Sequence, residues 1–453
     1  MVNDIREIMR EAVASPPAEG DALADVLRSG RRRVRRRRTG VVAGALVLAA
    51  VVTVGIGWRP GGKDGDQVAN RTVPQAQGPV LRIGDATAAV EGTDYDVLSS
   101  YTNKDLNAAN GQYYDGVTDD GLILFRDGPH GVDNTERLAL LDPVTEKKTW
   151  LPDLADDQQM IPLELGAERL VFASLGFTSD GDPGVLTMHV LDRARMQWAT
   201  ITWPSLPAGA EPFGGEVGPD GRLYVGVRAT EGSPPPGGWP TGPDGEADDA
   251  AAKGDTFDLW SVSLTDAGDV RDEGLRVGAF AFTDDALVWS TTTNGINDRI
   301  HVRDLATGAE HDFDPKSGER CNLLGFGATG DRIVLSQYCG TYDDGRDDRI
   351  QVLSTDGDLV TTIQGDGIEG WIADNGSRDG HLVLVRSHTA TTEGQYVYDL
   401  DTGGWKRVSD SVSSWALGGS APSGQLLWDT AYGDGKGDLG QDQGATQWLV
   451  RWR

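Results

Sequence analysis

Two thiols, Cys321 and Cys339, are the only cysteines in 453 residues, and each stands nine residues from Gly330. A hairpin folded about that glycine sets them opposite each other. Outside the cytoplasm the expected state is a disulfide, stabilising by roughly 3 kcal/mol through loop closure. A redox pair or two buried thiols are the alternatives. Four ligands at zinc-type spacing are lacking, so no metal is assigned to them. The six histidines (His130, His189, His301, His311, His381 and His388) fall in separate stretches, and the chain contains no G-x-S-x-G and no H-E-x-x-H. No catalytic residue is therefore assigned. Gly325, Gly327 and Gly330 spell G-x-G-x-x-G. A strand pattern follows them, whereas the phosphate-binding form of that motif needs a helix N-terminus. They read as a hairpin turn.

Carboxylates are the functional group in excess. Asp180 and Asp182 form one cluster, Glu246, Asp248 and Asp249 a second, Asp343, Asp344, Asp347 and Asp348 a third, and Asp434, Asp438 and Asp442 a fourth. Each cluster falls between two apolar runs of a repeat, which would bring all four to one face. Acid gathered this way raises the local negative potential and draws in a calcium ion or a basic protein partner, with a solvated acidic surface as the alternative. None follows EF-hand order, because Lys436 occupies a ligand position after Asp434. In so acidic a chain, paired carboxylates are too common to single out a glycosidase pair.

The repeat that must carry these residues is a turn rich in Asp, Gly or Ser, followed by a Leu or Ile that opens a short apolar run. It recurs at Leu122, Leu170, Leu223, Leu287, Ile333, Leu382 and Leu426, with gaps of 48, 53, 64, 46, 49 and 44 residues. That period is close to one four-stranded propeller blade. The longest gap holds a Pro/Gly/Asp-rich insertion, Glu231 to Gly254. After each anchor comes a second, alternating run (RLALLD, TMHVLD, LWSVSL, RIHVRD, RIQVLS, YVYDLD, WLVRW), and alternation means one face packed and one polar. Sheets of this kind bury their faces only by stacking on neighbours, so the pattern predicts an all-β, seven-bladed propeller over residues 78–453. The chain stops after a third strand in the last repeat, and Pro79 to Gly84 is expected to supply the missing outer strand, removing an exposed edge.

In three repeats a turn then leads to a tryptophan, at Trp150, Trp198 and Trp405. Tyr398 and Trp405 bracket their turn in a way that resembles the kelch pattern, although the kelch double glycine and the G-H and W-D marks of WD40 blades are missing. The stretch Pro219 to Tyr224 (PDGRLY) resembles the blades of TolB-like and related WD40-like exported propellers. That resemblance implies the architecture and says nothing of an activity.

Upstream, Arg31 to Arg38 holds seven arginines in eight positions, and Thr39 to Trp58 follows without a charge. Twenty residues make a helix of about 30 Å, enough to cross the hydrocarbon core of a bilayer. The positive flank places residues 1–38 in the cytoplasm, residues 59–77 as an outer linker, and the propeller outside; a cleaved export signal is the alternative. Membrane lipid is thus one partner, through residues 39–58 and the arginine run. Residues 1–30 hold two short helical patterns, available to a cytoplasmic partner or forming an unstructured leader. They resemble the cytoplasmic leaders of actinobacterial membrane proteins, some of which act with alternative sigma factors; no His or Cys precedes His130 to form a zinc-type anti-sigma motif.

Charge divides along the same line. Residues 1–38 carry ten Arg against six Asp and Glu, while the remainder carries 31 Lys and Arg against 64 Asp and Glu. So acidic an outer part repels nucleic acid. The expectation is a single-pass, membrane-anchored extracytoplasmic propeller acting as a non-catalytic binding or sensing module with no cofactor other than a possible Ca2+. An exported hydrolase or lyase acting on an envelope carbohydrate or peptide is the alternative.

Overall fold

The apolar run at each anchor is continuous rather than alternating because its strand is covered on both faces. In the computed structural model, Ile123, Leu124 and Phe125 are all within 1% of full burial, and Leu382 to Ser387 is buried at every position. Such side chains contribute about 1.5–3 kcal/mol each from burial, which makes the second strand the stable spine of every sheet. The structure describes residues 76–106, 112–127, 137–154, 160–174, 185–234, 253–318, 321–339, 347–415, 417–436 and 442–453. The expected cytoplasmic tail, membrane span and nearly all of the linker lie outside these. No helix among the described residues is long and apolar enough to cross a membrane.

Seven sheets, antiparallel within each blade, follow one another along the chain, and six of them run outward from a first strand among the described residues. Blade 1 is Tyr113–Val117, Ile123–Asp127, Arg137–Leu141 and Lys148–Trp150. Blade 2 is Met160–Leu165, Arg169–Ser174, Thr187–Asp192 and Gln197–Thr202. Blade 3 is Ala210–Val217, Leu223–Thr230, Thr256–Val262 and Val270–Val277. Blade 4 is Phe280–Phe282, Ala286–Ser290, Ile300–Asp304 and Glu310–Phe313. Blade 5 is Cys321–Thr329, Arg332–Cys339, Asp347–Ser354 and Leu359–Gly365. Blade 6 is Ile368–Ile372, Leu382–Ser387, Gly394–Asp399 and Trp405–Ser409. Blade 7 contains Gln425–Lys436 and Asp442–Trp452. Six anchors lie at the start of second strands and Leu122 directly precedes its own, and the alternating runs are third strands.

The core is divided among the junctions between blades. Val334, Ile350 and Ile363 of blade 5 pack on Ile368, Val383 and Tyr396 of blade 6, and comparable clusters fill the other junctions. The one that closes the ring joins Leu427 and Leu449 of blade 7 to Tyr114, Ile123 and Phe125 of blade 1. The protein is a seven-bladed propeller.

Closure is achieved by a different segment from the one expected. The outer strand of blade 7 is Tyr95–Asn103, antiparallel to Asp442–Trp452 through pairs from Trp452↔Tyr95 to Ala445↔Asn103. The proposed closing piece, Pro79 to Gly84, instead lays Val80–Arg82 parallel against Leu359–Gly365, as a fifth strand of blade 5. Thr87–Ala88 does the same on blade 6, beside Trp405–Ser409. The N-terminal segment is thus a strap across the outer edges of blades 5, 6 and 7. The misplacement has a physical cause. PVLRIG is the more apolar stretch, whereas an outer strand is only half covered, and YDVLSSYTN is correspondingly polar with no fully buried residue.

Candidate functional site: the axial mouth on the turn face

Antiparallel strands send first-to-second and third-to-fourth turns to one face of the ring and second-to-third loops to the other. The acidic clusters picked out by sequence belong to the second-to-third connections. Asp180, Asp182, Glu246, Asp248, Asp249, Asp343, Asp344 and Asp438 lie outside the described residues. Asp434 and Asp442 lie in the strands of blade 7, not in a loop. Asp347 and Asp348 are also strand residues and are buried. Asp347 pairs with Arg349 at 2.6 Å and accepts from Gln364 at 2.8 Å, while Asp348 accepts the Gly367 N–H at 2.8 Å. Burial pushes the Asp347 carboxyl above its ordinary range, with Arg349 opposing. These two are therefore interior, partnered groups and not part of an exposed acidic loop. Their polar run continues the ladder because Cys339↔Asp347 and Tyr338↔Asp348 are register pairs. Beside them Cys321 and Cys339 face each other across the first two strands of blade 5, their sulfurs bonded. Gly325 and Gly327 lie in its first strand, and Gly330, at φ +52°, makes the turn.

On the opposite face, described carboxylates converge on the axis. In blade 1 the turn Thr118–Leu122 is built by its own side chains: the Thr118 hydroxyl donates to Asp120 (2.6 Å) and accepts the Leu122 N–H (3.0 Å), with Gly121 at φ +84°. Blade 4 repeats the device with Thr283, Asp285 and Ala286. Asp120 is then taken by both guanidinium nitrogens of Arg193 in blade 2 (2.6 and 2.9 Å). Glu164 is likewise taken by Arg169 at 2.8 Å twice. Between them stands Asp119. Its N–H is fixed to the Leu165 carbonyl, but among the described residues none hydrogen-bonds or ion-pairs with its exposed carboxylate. Crowding by the surrounding blades, then the Glu164 and Asp120 carboxylates, raise its pKa against the pull of Arg193 and Arg378.

Arg378 comes from the far side of the ring. It sits in the first turn of blade 6 at φ +58°, just past the 3-10 turn Asn375–Ser377, and its side chain donates to the Val217 carbonyl of blade 3. Its own carbonyl accepts from Thr329 (2.9 Å) in blade 5, and the neighbouring Gly376 N–H donates to Ala421 (3.0 Å) before blade 7. A non-glycine residue holds this left-handed conformation only where its surroundings enforce it, and three blades do so here. Next to Val217, Glu216 accepts the Phe282 N–H of blade 4 at 3.3 Å. Enclosed by protein yet part-exposed, it lines the axis. Burial pushes its carboxyl up to about 7, outweighing Arg378.

Chemically, the mouth offers one unpaired carboxylate, two neutralised ones, a carboxyl that exchanges its proton near neutrality and a guanidinium spanning the axis. The histidines do not join it: His189 is buried against Thr200, His301 stacks on Trp289 at 5.0 Å, His311 meets the Thr355 carbonyl, and His388 pairs with Glu369. His130 is outside the described residues. Among the described residues only His381 meets acids that can share an ion with it, Asp399 and Asp401 at the edge of blade 6. Sequence reasoning missed Asp119, Glu216 and Arg378. The first is hidden in a turn motif, and the other two meet only through closure of the ring.

No protein-family model and no curated protein matches this chain. Among solved structures it is similar to an oligogalacturonate lyase in complex with manganese (13% identity, 81% of this chain and 98% of that one, TM-score 0.46). It is also similar to an acylaminoacyl peptidase in complex with Z-Gly-Gly-Phe-chloromethyl ketone (12% identity, 78% and 52%, TM-score 0.45) and to TolB from Acinetobacter baumannii (12% identity, 55% and 56%, TM-score 0.30). The chain spans about half the length of the last two.

Proposed function

We propose that this chain is a single-pass, membrane-anchored extracytoplasmic propeller that binds a cationic ligand, such as a basic segment of another envelope protein, at the axial mouth of its turn face. The anchor rests on the arginine run and the uncharged stretch Thr39 to Trp58. The observation that carries the binding role is Asp119. Its neighbours Asp120 and Glu164 are each hydrogen-bonded by an arginine, whereas among the described residues none hydrogen-bonds Asp119, which burial first and then their charge make less acidic against the pull of Arg193 and Arg378. A ligand ammonium or guanidinium would supply the missing partner in a part-enclosed setting, where a charge-assisted hydrogen bond is stronger than at an open surface.

Titrating the full-length chain in detergent with a penta-arginine peptide tests this reading. Binding is expected to weaken several-fold in Asp119→Asn and to fade as salt rises. Equal affinity in the wild type and the variant at low salt would overturn it. A second reading, an exported hydrolase or lyase, is favoured by Glu216 alone, whose pKa of about 7 suits a general acid or base at neutral pH. Turnover of an envelope carbohydrate or peptide that vanishes in Glu216→Gln would select that reading.

A further inference from the structure

We propose that His381, Asp399 and Asp401 form a binding site for one divalent transition-metal ion, on blade 6 and apart from the axial mouth. One ligand atom from each of the three lies within 4.8 Å of the others. An ion bound at about 2.0–2.2 Å from each needs those atoms somewhat closer together. Asp401 is exposed and free to close the gap.

The site is assembled before any ion arrives. Asp399 is only 6% exposed; its Oδ1 accepts the N–H groups of Asp401 (2.9 Å) and Thr402 (3.1 Å), and among the described residues none hydrogen-bonds its Oδ2. The Leu400 N–H, between the two aspartates, donates to the His381 carbonyl at 2.7 Å, so the histidine and both acids are tied through backbone. Behind the imidazole lies Asp374, fully buried, with Oδ2 3.5 Å from Nδ1. Asp374 is itself held by the N–H groups of His381, Leu382 and Gly424. A carboxylate beside one ring nitrogen is the usual support of a metal-bound histidine, and Asp374 stands at ion-pair distance from Nδ1, placed to take that role when the ring turns to an ion.

The repeat supplies an internal control. The residue before the anchor is Gly121, Arg169, Arg222, Ala286, Arg332 or Gln425 in the other six blades, and His381 only in blade 6. In blade 3 the arginine at this position, Arg222, pairs with Asp269 at 2.5 Å, so the chain itself neutralises the turn acid. At the ends of the third strands of blades 1, 2 and 4 stand Asp142, just past its strand, Asp192 and Asp304, whose Oδ1 accepts from the following turn as Asp399 does. Two positions later those blades have Val144, Ala194 and Ala306, where blade 6 has Asp401. Blade 6 alone among these has a second acid, and in place of the arginine of blade 2 it has a histidine. One imidazole nitrogen with two carboxylates suits zinc or manganese rather than the all-oxygen preference of calcium, and zinc binds such a set more tightly than manganese.

The test titrates the full-length chain, freed of metal by chelation, with Zn2+ alone and with Mn2+ alone. One equivalent of Zn2+ is expected to bind, more tightly than Mn2+, with X-ray absorption showing one imidazole and carboxylate oxygens. His381→Ala and Asp401→Asn should each weaken it at least about tenfold. Asp401 is exposed, so Asp401→Asn keeps the fold, which an unchanged melting temperature without metal will verify. Asp119→Asn should leave Zn2+ affinity unaltered, which separates this site from the axial mouth. Unsaturable binding, or an equal affinity in wild type and both site variants, would mean that the ion is held diffusely by the chain's net charge of −29 and would overturn the proposal.

Discussion

At the scale of single residues, burial sets charge behaviour more than sequence neighbours do. Glu216 shows the consequence for stability. Its folded pKa of about 7 exceeds its ordinary 4.5, so the folded state binds a proton that the unfolded state releases. The resulting stabilisation is present below about pH 4.5 and is lost as pH rises through 7. Replacing it with Gln should raise the melting temperature at pH 8 by several degrees, equivalent to at most about 3 kcal/mol, with the gain gone by pH 4.5. Thermal unfolding at the two values checks this, and an equal shift at both would contradict it. Asp142, Asp192 and Asp304 behave in the opposite sense. Their carboxyls are held below the ordinary range, by backbone N–H groups in the first two and by the Thr307 side chain and N–H in the third. What they contribute is present above the unfolded pKa and lost in acid. Much of the chain's aspartate therefore shapes turns. That is why a surplus of Asp in the sequence did not point to Asp119.

At the scale of elements, legibility followed burial. Second strands could be placed from sequence because both their faces are covered, and third strands because one face is. First strands gave almost no signal: in blade 4 the strand is three residues, Phe280–Phe282, and in blade 7 the segment 417–420 makes no ladder. That segment is instead held by Val117 N–H to the Ser420 carbonyl at 2.8 Å and by Gly419, where a Cβ would stand 2.5 Å from the Gly116 Cα. The closing strand was misread for the same reason, being half exposed. Truncation separates the strap's parts. Removing residues 1–85 takes away one short fifth strand and should lower the melting temperature modestly. Removing residues 1–103 strips Val97, Leu98 and Tyr101 from the junctions of blade 7 and should abolish the cooperative transition. A shared melting temperature for the two truncations would refute this division of labour.

At the scale of the molecule, the ring is held by contacts that no local pattern announces. Glu216 and Arg378 are 162 residues apart and meet because seven similar blades bring the third and the sixth to opposite sides of one axis. The proposed topology is likewise a property of the whole chain. Protease added to spheroplasts should digest or release the propeller while residues 1–38 stay protected, and recovery of a mature protein beginning near Arg59 from untreated cells would establish cleavage instead. On an anchored chain the N-terminal strap also becomes a load path. A pull from the membrane would meet three register pairs on blade 5, then two on blade 6, and only then the eight that close blade 7. The first two grips are weak enough to slip while the ring stays shut. Peeling residues 78–94 would pay out roughly 60 Å of extended chain, so the same segment that trims the outer edges doubles as a reserve of tether, letting the propeller follow a receding partner without opening.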